Sequence, residues 1–253
     1  MEQFVSKPMK KSYFIQGYEI KLQLKPGVFC PSEHGSQIAK YVSARPDEKV
    51  LDMGTGTGLL GIIAAKQGGT VEVSDISKKA VNLALKNAEL NGVTMTGYVG
   101  EYFPPQKNYK KTYDYIIANL PQEILPEKYA KKLGRLEQAI SGGPKGNKHL
   151  LTFLEQAHNH MTEDRAGTGT DARILMVVYS VSDYLETLQK IRSLYNTKLL
   201  DVIVNPAKDF VQENIHEYMS KTCKHFGLFE KDGVWQSTLF VYELRKKSLY
   251  GWG

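Results

Sequence analysis

The sequence predicts an α/β fold, with a mostly parallel sheet covered by helices on both faces. Three observations lead there. Strand-like and helix-like stretches alternate through most of the chain. A glycine-dense bend, Gly54-Thr55-Gly56-Thr57-Gly58, runs from an apolar strand straight into a helix. An acid, Asp75, closes the next strand, 23 residues after Asp52, which closes the first.

The elements follow in order. Tyr13–Ile15 and Tyr18–Leu22 flank Gln16-Gly17 and predict a hairpin. Ser36–Val42 is expected to be helical. Val50-Leu51-Asp52 ends the first core strand, and Leu59–Gln67 follows as a helix stopped by Gly68-Gly69. Val71–Ser74 is a strand. Ser77–Asn91 is a helix with Ala80, Val81, Ala84, Leu85 and Ala88 at helical spacing and Gly92 just beyond. Thr94–Val99 and Tyr113–Ala118 are strands, the second apolar enough to be central. Lys148–Met161 is predicted helical and Thr162–Asp171 a polar loop. Ile174–Tyr179 is a strand, Asp183–Leu194 a helix, Leu199–Val204 a strand and Asp209–Cys223 a helix. Leu228–Leu244 reads as a closing antiparallel hairpin around Lys231-Asp232-Gly233.

Composition bounds the function. The chain has 253 residues, 42% hydrophobic and 24% charged, which is long enough to bury a core. A net charge of +6 permits an acidic or nucleic-acid partner without demanding one. Two distant cysteines, Cys30 and Cys223, make neither a disulfide framework nor a zinc pattern, and suit a reducing compartment. The polar, lysine-rich start and the lack of a long apolar run predict a cytoplasmic protein with no membrane segment. His158 and His160 are two apart and would face different ways on a helix, and Cys223 and His225 lack partners, so no metal is expected. Glu33 and His34 read as a helix start. Tyr109, Lys110, Lys111 and Tyr113 mix basic and aromatic character, as nucleic-acid surfaces do, but suit a solvated loop.

The bend carries the chemistry. Its glycines let the main chain turn sharply and approach a ligand, and Asp52 beside it can accept hydrogen bonds from a cation or amine. Gly56-x-Gly58-x-x-Gly61 matches the dinucleotide fingerprint formally, but the strand would then end too early; counted from Gly54, Leu59 occupies the third glycine position.

The pattern Asp52-x-Gly54-x-Gly56-x-Gly58 resembles instead the first motif of class I S-adenosylmethionine-dependent methyltransferases. The resemblance implies a Rossmann-like sheet of seven strands with a C-terminal antiparallel hairpin. It implies S-adenosylmethionine as cofactor, held by Asp52, Gly54, Thr55, Gly56 and Gly58. Asp75 would then accept the ribose hydroxyls, Glu101 the adenine amino group, and Ile76 or Tyr102 would lie against the ring. Asn119-Leu120-Pro121-Gln122 resembles the Asn-Pro-Pro-Tyr motif of amino-methylating enzymes, which include the release-factor glutamine methyltransferases. In that motif the asparagine oxygen and a following carbonyl accept the hydrogens of the target NH₂ and aim its lone pair. Asn119 and Pro121 match; Leu120 replaces a proline and Gln122 an aromatic residue. By this likeness Asn119, Pro121 and Gln122 are the catalytic candidates, with Asn119 also beside the cofactor.

Gly27-Val28-Phe29-x-Pro31 is similar to a substrate-side loop of the release-factor enzymes, and Gly142-Gly143-Pro144-x-Gly146 to a later loop. Pro121-Gln122-Glu123-Ile124 is also similar to the amino-terminal domain of plant methionine S-methyltransferases. The expected organisation is one domain, 1–253, with a hairpin and substrate-side loop at 1–32 and a possible substrate-cap insertion at 199–227. The expected activity is methyl transfer from S-adenosylmethionine to a nitrogen of a small molecule or protein side chain. Transfer to sulfur, transfer to a nucleic-acid amino group, and a catalytically silent cofactor-binding partner subunit are the alternatives. Oligomeric state is open.

Overall fold

The computed structural model describes residues 4–31, 33–104, 111–163, 172–216, 218 and 227–247, without the side chains of 33–35 and 135. The chain gathers into two compact units, Met1–Asn119 with Gln156–Met176, and Leu120–Glu155 with Val177–Gly253.

The first unit opens with a hairpin, β1 (Met9–Ile15) against β2 (Tyr18–Leu24). Gln16 and Gly17 both take positive φ, 52° and 80°, as a tight two-residue turn requires. A short helix α1 (Glu33–Ile38) and a 3₁₀ turn (Ala39–Tyr41) lead into the sheet. Strand β3 (Lys49–Met53) lies between β4 (Thr70–Asp75) and β6 (Tyr115–Ala118), with β5 (Thr96–Val99) beyond β4 and β7 (Arg173–Tyr179) beyond β6; all these pairings are parallel. Every side chain of β6 and β7 is buried, which is why those strands read as unbroken apolar runs.

Helix α2 (Leu59–Lys66) follows β3 and helix α3 (Lys78–Leu90) follows β4. The Ser77 hydroxyl caps α3 by accepting from Ala80 N, and Gly92, with φ 70°, lies just past its end. The buried face of α3 is Ala80, Val81, Leu83, Ala84 and Ala88, with one polar member, Asn87.

The second unit holds the end of β7 (Val177–Tyr179), β10 (Val234–Lys246) beside it, and β8 (Tyr195–Pro206) antiparallel to β10; β9 (Leu228–Lys231) pairs with the start of β10. The expected closing hairpin is present, turning at Asp232 (φ 52°) and Gly233 (φ 76°). With β9 the main sheet numbers eight strands among the described residues, one more than expected. Helices α4 (Glu127–Leu133), α5 (Lys148–Ala157), α6 (Tyr184–Leu194) and α7 (Asp209–Gln212) complete the unit.

The strand expected over Leu199–Val204 is part of β8, paired with β10, and it occupies the start of the stretch 199–227 considered as a possible substrate cap. The helix expected over 209–223 is present in part: it runs over Asp209–Gln212, is interrupted by a turn at Glu213-Asn214, and is helical again at Ile215, His216 and Tyr218, the rest lying outside the described residues. What is left of the cap packs within its own unit: Ala207, Val211 and Tyr218 bury against Ile124, with Phe210, Leu228 and Trp235 at the edge. The polar loop expected over 162–171 falls almost wholly outside the described residues. Among the described residues no helix is long and apolar enough to cross a membrane.

Candidate functional site

The register of the parallel strands sets the site of the first unit. Met53 pairs with both Ser74 and Ala118, and Asp75 pairs with Val99. Gly54, Asp75, Gly100 and Asn119 therefore leave the sheet at one level, on the carboxyl edge where open α/β sheets place ligands.

The bend is held by main-chain bonds. Gly54 N and Thr55 N both donate to Ser74 O, at 2.8 and 3.0 Å, and Gly58 N donates to Thr55 O at 2.9 Å. Gly58 has φ 89°, and a Cβ there would stand 3.0 Å from Ala84 Cα, so both conformation and close approach to α3 demand glycine. Gly56 N gives its hydrogen to Asp75 Oδ2 at 3.0 Å.

Two carboxylates sit beneath and beside this bend. Asp52 is 1% exposed, and its Oδ2 accepts from Thr55 Oγ1 at 2.7 Å and from Gly61 N at 3.0 Å, tying the bend to α2. Burial pushes its pKa up to about 6 against those two hydrogen bonds, and the charge of Asp75 adds to the rise. Asp75 accepts from Ser77 N through Oδ1 and from Gly56 N through Oδ2; burial raises its pKa too.

These facts test the cofactor. A pyrophosphate needs free N–H donors at the bend. Here Gly54, Thr55, Gly56 and Gly58 all give their N–H groups to protein oxygens. Two carboxylates, each costly to ionise, stand next to the bend. A sulfonium with an ammonium group relieves that cost, whereas a diphosphate adds to it. The residues fit S-adenosylmethionine and not a dinucleotide.

The remaining predicted contacts of this unit gather near Asp75. Ile76, next in sequence, is 50% exposed, unusual for an isoleucine flanked by buried strand and helix and suited to a flat ring. Gly100 N donates to Asp75 O at 3.0 Å, bringing the start of the Gly100–Phe103 turn to the same strand end. Within that turn Glu101 is exposed, while Tyr102 is half-buried with φ 52°, a backbone state costly for a bulky residue. Asn119 is half-buried.

Pro121 and Gln122 belong to the second unit. Pro121 is half-buried. Gln122 is 5% exposed, and its amide is spent on main chain: Nε2 donates to Val177 O at 3.1 Å and Leu120 O at 3.4 Å, and Oε1 accepts from Tyr179 N at 2.8 Å. Gln122, a catalytic candidate by its motif, therefore has its side chain pinned by these bonds to the end of β7. The later glycine loop packs on the same residue: a Cβ on Gly146 would stand 2.6 Å from Gln122 O, and one on Gly142 2.8 Å from Gln122 Cα. Beside it Glu123, buried, pairs with Lys208.

Several residues escape sequence reasoning. Asn87 and Asn91 of the α3 region bond the main chain of β2, and Asn147 bonds Asp183 O and Glu186. The one available signal for Asn87 was an amide on the apolar stripe of a helix. No group of three potential metal ligands occurs among the described residues. His160 stacks on Phe103 at 4.0 Å, and its Nδ1 meets Lys111 O. Glu33 and His34 are placed only as backbone of α1, and Tyr109, Lys110, Cys223 and His225 lie outside the described residues.

Comparison with known proteins gives a consistent result. Residues 19–130 match the family model described as methyltransferase small domain. A Methanocaldococcus jannaschii protein, named as a protein N5-glutamine methyltransferase, is 32% identical over 177 residues, which cover 69% of this chain and 84% of that one. The release factor glutamine methyltransferase of Lactococcus lactis is 26% identical over 58% of this chain and 56% of its own length. The ribosomal protein L11 methyltransferase of Nitratiruptor is 42% identical over 35% of this chain, but only 30% of its own length is spanned. Among solved structures, the Thermus thermophilus 16S rRNA N2 G1207 methyltransferase with AdoMet and guanosine aligns over 96% of this chain and 52% of its own, with a TM-score of 0.50 at 15% identity. A Streptococcus mutans protein titled "a putative sam-dependent methyltransferase" aligns over 94% of this chain and 56% of its own, with a TM-score of 0.53 at 14% identity. Likeness at such identity speaks to the Rossmann-like fold alone.

Proposed function

The chain belongs to the methyltransferase small-domain family and is an S-adenosylmethionine-dependent methyltransferase, and from that premise we propose that it methylates a protein side-chain nitrogen, the carboxamide of a glutamine. The observation that carries the reading is the register Met53↔Ala118. It sets Asn119 level with the first glycine of the cofactor bend, where an amide-orienting group has to stand. The names of the Methanocaldococcus and Lactococcus relatives support the glutamine acceptor.

In this reading the main chain of Gly54–Gly58 receives the methionyl part of the cofactor, and Asp52, below it, supplies negative potential rather than a direct contact. Asp75 accepts the ribose hydroxyls with the lone pairs its two N–H donors leave free. Ile76 lies on one face of the adenine, and Glu101 and Tyr102 border its amino edge. When bound, S-adenosylmethionine supplies an electrophilic methyl group on a cationic sulfur.

A carboxamide nitrogen is a weak nucleophile because its lone pair is delocalised into the carbonyl. Asn119 Oδ1 accepts one amide hydrogen and turns that lone pair toward the methyl carbon, so positioning supplies most of the rate. The new bond is N–C; the C–S pair returns to sulfur, which leaves as a neutral thioether, and the nitrogen loses one proton to water. Gln122 works through the main chain, fixing the segment after Asn119 to β7. Pro121 restricts Leu120 to extended backbone. A cytoplasmic setting goes with this reading and with the buried, unpaired Cys30.

Incubation with methyl-labelled S-adenosylmethionine and purified release factor or ribosomal protein L11 tests the proposal. Label is expected on a release-factor glutamine. Label on L11 alone, or on neither protein, overturns the glutamine reading.

A further inference from the structure

The methyl transfer as described makes no use of Asn87, which is buried within α3 and bonded on three sides. Its Oδ1 accepts from Gln23 N at 2.8 Å, and its Nδ2 donates to Gln23 O at 3.0 Å and to Thr57 O at 2.9 Å. The first two bonds imitate one rung of a β-ladder, with a side-chain amide standing in for a strand. The third reaches the middle of the cofactor bend.

One helical turn on, Asn91 repeats the rung on the alternate residue of β2: Oδ1 accepts from Lys21 N at 2.8 Å and Nδ2 donates to Lys21 O at 2.7 Å. Nδ2 of Asn91 also donates to Asn87 O. The two amides thus grip the edge of β2 that faces away from β1. The chain beyond β2 returns to the bend as well. Val28 packs with Ala80 and Leu83 of α3, and Phe29 O lies 3.6 Å from where a Cβ on Gly56 would stand.

We propose that Asn87 is a positioning residue for the methyl donor: one amide fixes the Thr57 carbonyl of the bend and the Gln23 main chain of the hairpin together, so that the hairpin sets the height of the bend under the cofactor. A hydrophobic side chain would fill the same space on α3, but three main-chain polar groups converge there and only a carboxamide answers all of them. The inference rests on the reading of Gly54–Gly58 as the cofactor site.

Two variants probe it from opposite ends. Asn87→Asp keeps the shape and the acceptor but turns the donor into an oxygen facing Thr57 O and Gln23 O. Gln23→Pro removes only the N–H that Asn87 accepts, at a strand edge where proline is tolerated. S-adenosylmethionine affinity is measured by calorimetry well below the unfolding temperature, on protein shown to be folded by circular dichroism.

Asn87→Asp is expected to raise the Kd about tenfold and Gln23→Pro about threefold, the size of one or two lost hydrogen bonds. The deficit of Asn87→Asp relative to wild type should narrow from about pH 8 to about pH 6, because a protonated carboxyl can donate to Thr57 O again; a merely structural asparagine gives no such recovery. Folded Gln23→Pro that binds the methyl donor within about twofold of wild type overturns the inference, even where Asn87→Asp does not fold. Asp75→Ala serves as the control. Loss of binding in Asp75→Ala with none in the other two sinks the role of Asn87 alone, whereas undiminished binding in Asp75→Ala sinks the cofactor site itself.

Discussion

The Thr55 hydroxyl donates to Asp52 Oδ2 at 2.7 Å directly beneath the cofactor bend, and Gly61 N donates to the same oxygen. These bonds do not outweigh burial, which leaves the Asp52 pKa near 6 against an ordinary value of 3.8. The folded chain therefore holds this proton to higher pH than the unfolded chain, and stability from this group falls as pH rises between the two values. Its ionised form costs at most about 3 kcal/mol above that window. Asp52→Asn is expected to raise the unfolding midpoint of ligand-free protein near neutral pH, to change it little at acid pH, and to weaken S-adenosylmethionine binding. Calorimetric unfolding across pH reads the first two effects, and superimposable profiles for the two proteins end this account.

The cofactor test has a sharp electrostatic form. NAD carries two phosphate charges to a bend whose nearby N–H groups are already spent. Titration calorimetry should show S-adenosylmethionine binding and no saturable heat with NAD; a tighter NAD complex contradicts the reading of the two carboxylates.

Asn119→Ala separates binding from catalysis. The Kd for S-adenosylmethionine should stay within about twofold while kcat on the methylated acceptor falls about 10²-fold, the usual cost of losing alignment at a reacting atom. Full turnover in this variant removes the amide-orienting step.

Gln122→Leu leaves Val177 O and Tyr179 N without their partner in a buried place. A loss of about 2–4 kcal/mol of stability is expected from urea unfolding. Gln122→Tyr, which restores the aromatic residue of the related motif, should not recover it, since the lost bonds are to main chain and Gly142 and Gly146 crowd the site. A stable, more active tyrosine variant would falsify the anchoring role.

Gly58→Ala and Gly233→Ala share a positive φ, but a Cβ at 58 meets Ala84 main chain whereas one at 233 meets nothing within 4 Å. The second should cost about 1 kcal/mol, the first clearly more, with loss of methyl-donor binding. Equal costs for the two would remove the close-approach argument.

The parallel half of the fold was legible because its central strands β3, β6 and β7 are almost wholly buried and its glycines sit where positive φ is required. The second unit was not. Helix α4 buries no side chain, so its sequence carries no apolar stripe. Strand β8 buries only Tyr195 and Asn205 of twelve residues, with Val202 and Val204 exposed, so the alternation that marks a half-buried strand is missing. The helix read over 209–223 is interrupted by a turn at Glu213-Asn214 before it resumes at Ile215, a break that its composition does not announce. In the site, Asp52, Asp75 and the glycines are found by spacing to the strand ends. The fate of the Gln122 amide is not, because its partners lie 55 and 57 positions away on β7. Asn87 is hidden for the same reason: its amide answers groups far apart in sequence, at Gln23 and Thr57.

Asn91, the second rung on β2, is followed by Gly92. Asn-Gly is the dipeptide in which the next backbone nitrogen most readily attacks the side-chain amide, since glycine offers no steric shield. Ring closure at this bond releases ammonia and forms a succinimide, which water then opens to a carboxylate opposite Lys21 O and Asn87 O, two acceptors that formerly received a hydrogen. The clasp between hairpin and helix thus carries its own clock, and stored protein should loosen first at its amino-terminal ribbon.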